Sequence, residues 1–118
     1  MSAQMIKHVI YANGNEHWYK DCLLYKDNGP AEISFNGTEF WYKDNLLDAK
    51  DGPAVIYSDG TELWCKNNRR IRINGPSRIF NDGRERWYKN DKLHRANGPA
   101  VIFSYGEEEW YENGEFTK

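Results

Sequence analysis

The sequence predicts an all-β fold: an elongated, single-layer solenoid of antiparallel β-hairpin repeats, about five copies of 23 residues. Three observations predict it. The five tryptophans, Trp18, Trp41, Trp64, Trp87 and Trp110, stand 23 residues apart. Gly14, Gly37, Gly60, Gly83 and Gly106 keep the same step, as do Ile10, Ile33, Ile56, Ile79 and Ile102, and Pro30, Pro53, Pro76 and Pro99. A fixed period between ~20 and ~50 residues marks a stacked repeat architecture. No segment carries an apolar period of 3.6, so no helix of consequence is expected. The copies fall near 6–28, 29–51, 52–74, 75–97 and 98–118, within one domain over 1–118.

Each element follows from its residues. "AVIYS" (54–58) is β-branched and aromatic, which suits a strand. Asp59-Gly60 follows, a pair favoured in two-residue type I′ turns. Asn13-Gly14, Asn36-Gly37 and Asp82-Gly83 are its equivalents, and Tyr105-Gly106 departs. A two-residue turn there pairs Ser58 with Thr61, Tyr57 with Glu62, Ile56 with Leu63 and Val55 with Trp64. Ile56 and Leu63 then share one face, and Glu62 and Trp64 the other. "TELWCK" (61–66) is the return strand. A second tight turn comes at Asp21-Cys22, Asp44-Asn45, Asn67-Asn68, Asn90-Asp91 and Asn113-Gly114. A short strand such as "KLHR" (92–95) leads into Asn-Gly-Pro or Asp-Gly-Pro, where proline ends ladder pairing before the next copy. With strands ~4.8 Å apart, five copies make a strip on the order of 50 Å long.

Composition agrees with a thin architecture. The chain has 118 residues, 39% hydrophobic and 15% aromatic, and rings can cover single hairpins where aliphatic residues are few. No apolar run serves as a signal peptide or spans a bilayer. Cys22 and Cys65 lack metal-ligand or C-x-x-C spacing and read as reduced thiols of a cytoplasmic protein.

The repeat unit, Asp-Gly, then "ERWYKN" (85–90), then "KLHR", then "NGPA" (97–100), resembles the MORN repeat, in the looser variant found in tandem in bacterial and phage proteins. The resemblance covers about residues 6–118. Gly-Pro-Ala stands where the better-known pattern has Gly-x-Gly. The resemblance implies a hairpin solenoid that binds proteins, sometimes phospholipids, and an inhibitor or antitoxin-like role for relatives of the looser variant. It implies no catalysis by the repeats.

Several chemistries find no support in the residues. The glutamate column Glu16, Glu39, Glu62, Glu85 and Glu108 offers five equivalent environments, whereas acid–base pairs need distinct ones. Those carboxylates are expected to accept hydrogen bonds from Trp N–H, Tyr hydroxyl or turn amides. His8, His17 and His94 occupy three different repeat positions and make no metal set. The glycines are all explained by turns, which leaves no phosphate loop. No nucleophile–base pair or cofactor motif stands out, so the expectation is a non-enzyme with no cofactor.

The formal charge of −2 hides a segregation. Residues 66–95 hold ten Lys/Arg against three Asp/Glu, a net +7, residues 1–65 come to −5 and residues 96–118 to −4. Arg70 and Arg78 occupy positions that are apolar in most copies, and Arg86 one that is apolar in the second and third. The candidate recognition patch is Arg69, Arg70, Arg72, Arg78, Arg84, Arg86, Trp87 and Lys89, presented to a protein partner with an acidic surface. Arginine suits carboxylate because its planar fork bonds bidentately. Nucleic-acid or anionic-lipid binding through the same band is the alternative, opposed by the acidic flanks. A drifted copy with solvated charges is the plain reading of the same residues. Self-association through open solenoid ends is a further expectation.

Overall fold

The computed structural model describes residues 6–26, 28–49, 52–72 and 75–118. All the described elements are strands and turns, and the molecule measures 56 × 31 × 19 Å. The chain is therefore an elongated all-β layer, close to the length expected of five copies. Among the described residues no helix is long and apolar enough to cross a membrane.

Each copy folds as two successive hairpins. In the third, Val55–Ile56 pairs with Glu62–Leu63. The chain passes through Trp64, and Cys65–Lys66 then pairs with Arg69–Arg70 in a short second hairpin, the arm. The first hairpins join edge to edge in sequence order into one sheet. It runs Ile6–Ile10, Glu16–Lys20, Glu32–Ile33, Glu39–Phe40, Val55–Ile56, Glu62–Leu63, Arg78–Ile79, Glu85–Arg86, Val101–Ile102 and Glu108–Glu109, with Leu23–Leu24 paired to the second strand. The arms of later copies are separate two-stranded ribbons.

The first turn differs from expectation. Ile56 faces Glu62 and Val55 faces Leu63, one residue off the register that a two-residue turn dictates. Tyr57 and Thr61 close the loop, with the Tyr57 amide donating to the Thr61 carbonyl at 2.8 Å. The Gly60 amide donates to the Tyr57 carbonyl at 2.9 Å, and Gly60 adopts φ 92°. This is a three-residue loop, a type I turn followed by a left-handed glycine in a bulge. Asp59 sits where its Oδ1 accepts the Thr61 amide at 2.8 Å. Asn13, Asn36 and Asp82 make the same contact in their copies. Asp or Asn thus precedes glycine for its side-chain acceptor, not for a positive φ of its own.

The type I′ turn lies in the arm instead. Asp44 and Asn45 have φ 52° and 68°, and Asn67 and Asn68 have 51° and 67°, the paired left-handed residues that turn requires. Asparagine and aspartate tolerate this region better than most residues.

The one-residue shift rearranges the faces, because side chains alternate along a strand. One face carries the row Ile10, Glu16, Ile33, Glu39, Ile56, Glu62, Ile79, Glu85, Ile102 and Glu108, read directly from the pairings. The isoleucines and glutamates expected on opposite faces alternate on the same one. The tryptophans join them two residues after each glutamate. The opposite face carries Val9, His17, Glu32, Phe40, Val55, Leu63, Arg78, Arg86, Val101 and Glu109. The two faces are called the tryptophan face and the valine face below.

Two devices hold one copy to the next. In the sheet, the amides of Trp18, Trp41, Trp64 and Trp87 donate to the carbonyls of Ala31, Ala54, Ser77 and Ala100 at 2.6–2.8 Å. These four small residues are fully buried, which explains why Gly-Pro is followed by Ala or Ser. In the arms, the second turn residue reaches back to the preceding copy. Asn45 Oδ1 accepts the Leu24 amide at 2.7 Å, Asn68 Oδ1 the Leu47 amide at 2.6 Å, and Asp91 Oδ1 the Arg70 amide at 3.0 Å. Cys22 holds that turn position in the first copy, and it is exposed.

Candidate recognition surface

The eight residues of the basic band separate into three groups. Arg78, Arg84 and Arg86 converge on the valine face. Their guanidinium carbons lie 4.7, 4.3 and 5.1 Å from the centre of the Phe80 ring. Arg78 also approaches Tyr57, at 5.9 Å. Arg78 and Arg86 are direct cross-strand partners. Like charges in that relation repel. Arg84 is neutralised locally, its Nε donating to both Asp82 oxygens at 3.0 and 3.1 Å. That amide and side chain hold the Asp82 carboxyl below its usual pKa, the Arg84 backbone N–H being the larger cause. Arg78 and Arg86 have no such acid among the described residues, and Arg78 Nε is buried without a hydrogen-bond partner.

The second group is consumed by architecture. Arg70 lies over Tyr88 at 4.2 Å, its Nη2 donates to the Asp91 carbonyl at 3.2 Å, and its Nε approaches Asp91 Oδ1 at 3.5 Å. It pins one arm to the next. Arg72 lies over Trp64 at 3.8 Å and donates to the Pro76 carbonyl at 3.4 Å. Trp87 is covered by Arg95 at 3.8 Å. The third group, Arg69 and Lys89, is exposed on the arms. One charge block in sequence is thus three environments in space, and among the described residues of the band only Arg78, Arg84 and Arg86 form a cluster held by a shared ring.

The glutamate column meets its expectation in part. Glu62 Oε1 accepts Trp64 Nε1 at 3.3 Å, and Glu16 Oε1 lies 3.1 Å from His8 Nε2. Trp41 and Trp87 Nε1 are buried without a partner, so the pattern is not uniform.

A further constellation, spread between two copies, escaped sequence reading. The Tyr11 and Tyr19 hydroxyls lie 3.0 Å apart, Tyr19 Oη is 3.0 Å from His17 Nδ1, and His17 Nε2 is 3.6 Å from Glu32 Oε1. The order hydroxyl, imidazole, carboxylate resembles a nucleophile relay. The hydrogen bond with Tyr11, burial and the nearby Glu32 push the Tyr19 pKa up to about 12. Through His17 and Glu32 the network links the first copy to the second. The signal that reveals it is the register, since His17 faces Glu32 across strands.

Cys65 is buried, and burial pushes its thiol up to about 11, with Asp91 and Asp48 adding to the effect. That makes it an inert packing residue. Among the described residues no three His, Cys, Asp or Glu side chains gather as metal ligands.

No family model matches the chain, and no curated protein matches it.

Proposed function

We propose that this chain is a non-catalytic protein-binding module that docks the acidic surface of a partner through Arg78, Arg84 and Arg86 on the valine face. One observation carries the reading. Arg78 and Arg86 are placed directly opposite each other, with the Arg78 Nε buried and unpaired. The third copy solves the same two positions with Val55 and Leu63. The fourth accepts like-charge repulsion and an unmet donor at a site where an apolar pair is available. An incoming carboxylate neutralises the pair, and the arginine fork receives it bidentately. An inhibitor or antitoxin-like binder of bacterial or phage origin is the narrower form of the proposal, and it rests on the MORN-like repeat pattern.

The test is a double substitution, Arg78→Val with Arg86→Leu, which restores the residues of the third copy. It removes an opposed like-charge pair and an unpaired donor, so stability is expected to rise by about 1–2 kcal/mol. Recognition predicts that the stabilised variant loses a partner captured stoichiometrically by the wild type from nuclease-treated lysate. Arg69→Glu with Lys89→Glu is expected to keep that partner. Equal capture by wild type and the restored variant refutes the assignment. Capture that disappears on nuclease treatment moves the patch to nucleic acid.

A further inference from the structure

The tryptophan face repeats a small cation site. Lys26 Nζ lies 3.9 Å from the Trp18 ring centre, Arg72 Cζ 3.8 Å from Trp64, Arg95 Cζ 3.8 Å from Trp87, and Lys118 Nζ 4.4 Å from Trp110. Arg72 and Arg95 also donate to the carbonyls of Pro76 and Pro99, at 3.4 and 3.3 Å. The cation fills the space beside the glycine of Gly-Pro. A Cβ on Gly75 would stand 2.6 Å from Arg72 Nε, one on Gly98 2.8 Å from Arg95 Cζ, and one on Gly29 3.3 Å from Lys26 Cδ. All three glycines are buried beneath their cations.

Among the described residues, the second copy has the seat without the occupant. The column that reads Lys26, Arg72, Arg95 and Lys118 holds Ala49 here. Among the described residues no cation covers Trp41. A Cβ on Gly52 would meet nothing within 4 Å, and Gly52 is only partly buried. A cavity of about 950 Å³ opens at this point, with Trp41, Ala49, Gly52 and Asp48 in its lining. Asp48 takes the position of Tyr25, Ile71, His94 and Thr117 in the other copies. Its amide donates to the Trp41 carbonyl at 2.9 Å, as the amides of Tyr25, Ile71, His94 and Thr117 do to their own tryptophans. Among the described residues the second copy therefore lacks the cation of the other copies and has a carboxylate in the lining of the same cavity.

We infer that the Trp41 seat receives a cationic side chain, arginine or lysine, presented by a partner protein. The four filled seats show the occupant's chemistry, a guanidinium or ammonium on the indole face, and in the two arginine seats the proline carbonyl after glycine is the acceptor, here that of Pro53. Asp48, in the lining of the same cavity, adds a carboxylate at a position held by Tyr25, Ile71, His94 and Thr117 in the other copies. Neighbouring cations do not bar occupancy, because Arg72, Arg95 and Lys118 already fill three consecutive seats. Lys26 and Arg72, which also line the cavity, are engaged by their own rings. Lys43 and Lys66 line it as well and are exposed on the arms. They favour an anion, so the sign of the ligand's charge is what the experiment must read. The seat lies on the face opposite Arg78 and Arg86 and does not depend on their role.

The experiment follows the five indole N–H signals of the full ¹⁵N-labelled chain, with Trp41→Phe assigning the relevant one. The probe is the peptide acetyl-Gly-Arg-Gly-amide, compared with the same peptide carrying citrulline or glutamate in place of arginine. The expected result is a saturable shift of Trp41, several-fold larger than at the other four indoles, with arginine well ahead of citrulline and glutamate. Ala49→Arg, which fills the seat from within the chain, is expected to abolish that shift. Arg72→Ala, which empties the third seat, is expected to make Trp64 respond. A silent Trp41, equal response to citrulline, preference for glutamate, or a response that persists in Ala49→Arg overturns the proposal.

Discussion

Removing the Asn68 side chain separates two terms that hold one arm to its neighbour. Asn68 Oδ1 accepts the Leu47 amide at 2.6 Å, and the Asn68 amide donates to the Leu47 carbonyl at 3.1 Å. The residue also sits at φ 67°. Asn68→Ala loses one hydrogen bond, worth about 1 kcal/mol or less at this solvent-facing site. It also places alanine in the left-handed region, at a further cost of about 1 kcal/mol. The sum is about 2 kcal/mol, or roughly 8 °C in Tm for a chain of this length. Asn68→Gly removes the acceptor but suits the backbone, so it is expected to cost about half as much as alanine. Asn68→Asp keeps the acceptor, as Asp91 does naturally, and is expected to be close to neutral. Thermal and urea unfolding followed by tryptophan fluorescence gives the order Asp, Gly, Ala. An aspartate variant as unstable as alanine, or glycine worse than alanine, refutes the bipartite account of the arm junction.

Two other measurements test the reading. One thiol per native chain, Cys22, is expected to react rapidly with a thiol reagent, while buried Cys65 reacts only after unfolding; two fast thiols refute the burial of Cys65. The raised Cys65 pKa carries a sign: below about pH 8.5 both states hold the proton, and this contribution to stability is lost as pH rises toward about 11. Tyr105, 94% exposed, occupies the position where four copies place an Asn or Asp acceptor. Tyr105→Asn is expected to stabilise by about 0.5 kcal/mol through the Glu107 amide, measured as an upward shift in urea midpoint; no shift removes the side-chain acceptor as the reason for Asn or Asp at that turn.

The repeat, the hairpins and the small residue after Gly-Pro were legible because an unbroken 23-residue step lets each copy vote on the next. The face assignment was not. Asp-Gly serves a two-residue type I′ turn and a three-residue loop with a glycine bulge equally well, and the two differ by one residue of register. Nothing in "AVIYSDGTELW" (54–64) chooses between them, because each register leaves apolar and polar residues on both faces. The choice is made by the Tyr57–Thr61 closure and by the Asp59 acceptor, which act at the level of the folded loop. The same holds for the basic band. Its net charge of +7 is a property of the string, whereas Arg70 and Arg72 are spent on Tyr88 and Trp64 by contacts to ring and carbonyl. The empty seat was present in the string as Lys26, Ala49, Arg72, Arg95, Lys118. That column acquires meaning only when the arm's return brings it over the tryptophan eight residues upstream.

A repeat protein supplies its own reference state for every position. Four copies of the Trp–cation seat show what geometry the backbone enforces without any help from Ala49, and the Val55–Leu63 pair shows what the sheet does with Arg78 and Arg86 when left apolar. Departures are therefore measured against neighbours that share backbone, register and solvent exposure, a stricter control than comparison between different folds. Both departures run against local stability. Among the described residues the second copy forgoes a cation–ring contact worth about 0.5–1 kcal/mol at an exposed site, and the fourth opposes two guanidiniums. They lie two copies apart on opposite faces, so under the two proposals one flat partner cannot satisfy both. A single thin layer can present two chemically distinct surfaces because its copies hold together by backbone and turn-side-chain bonds, leaving side chains on either face free to diverge.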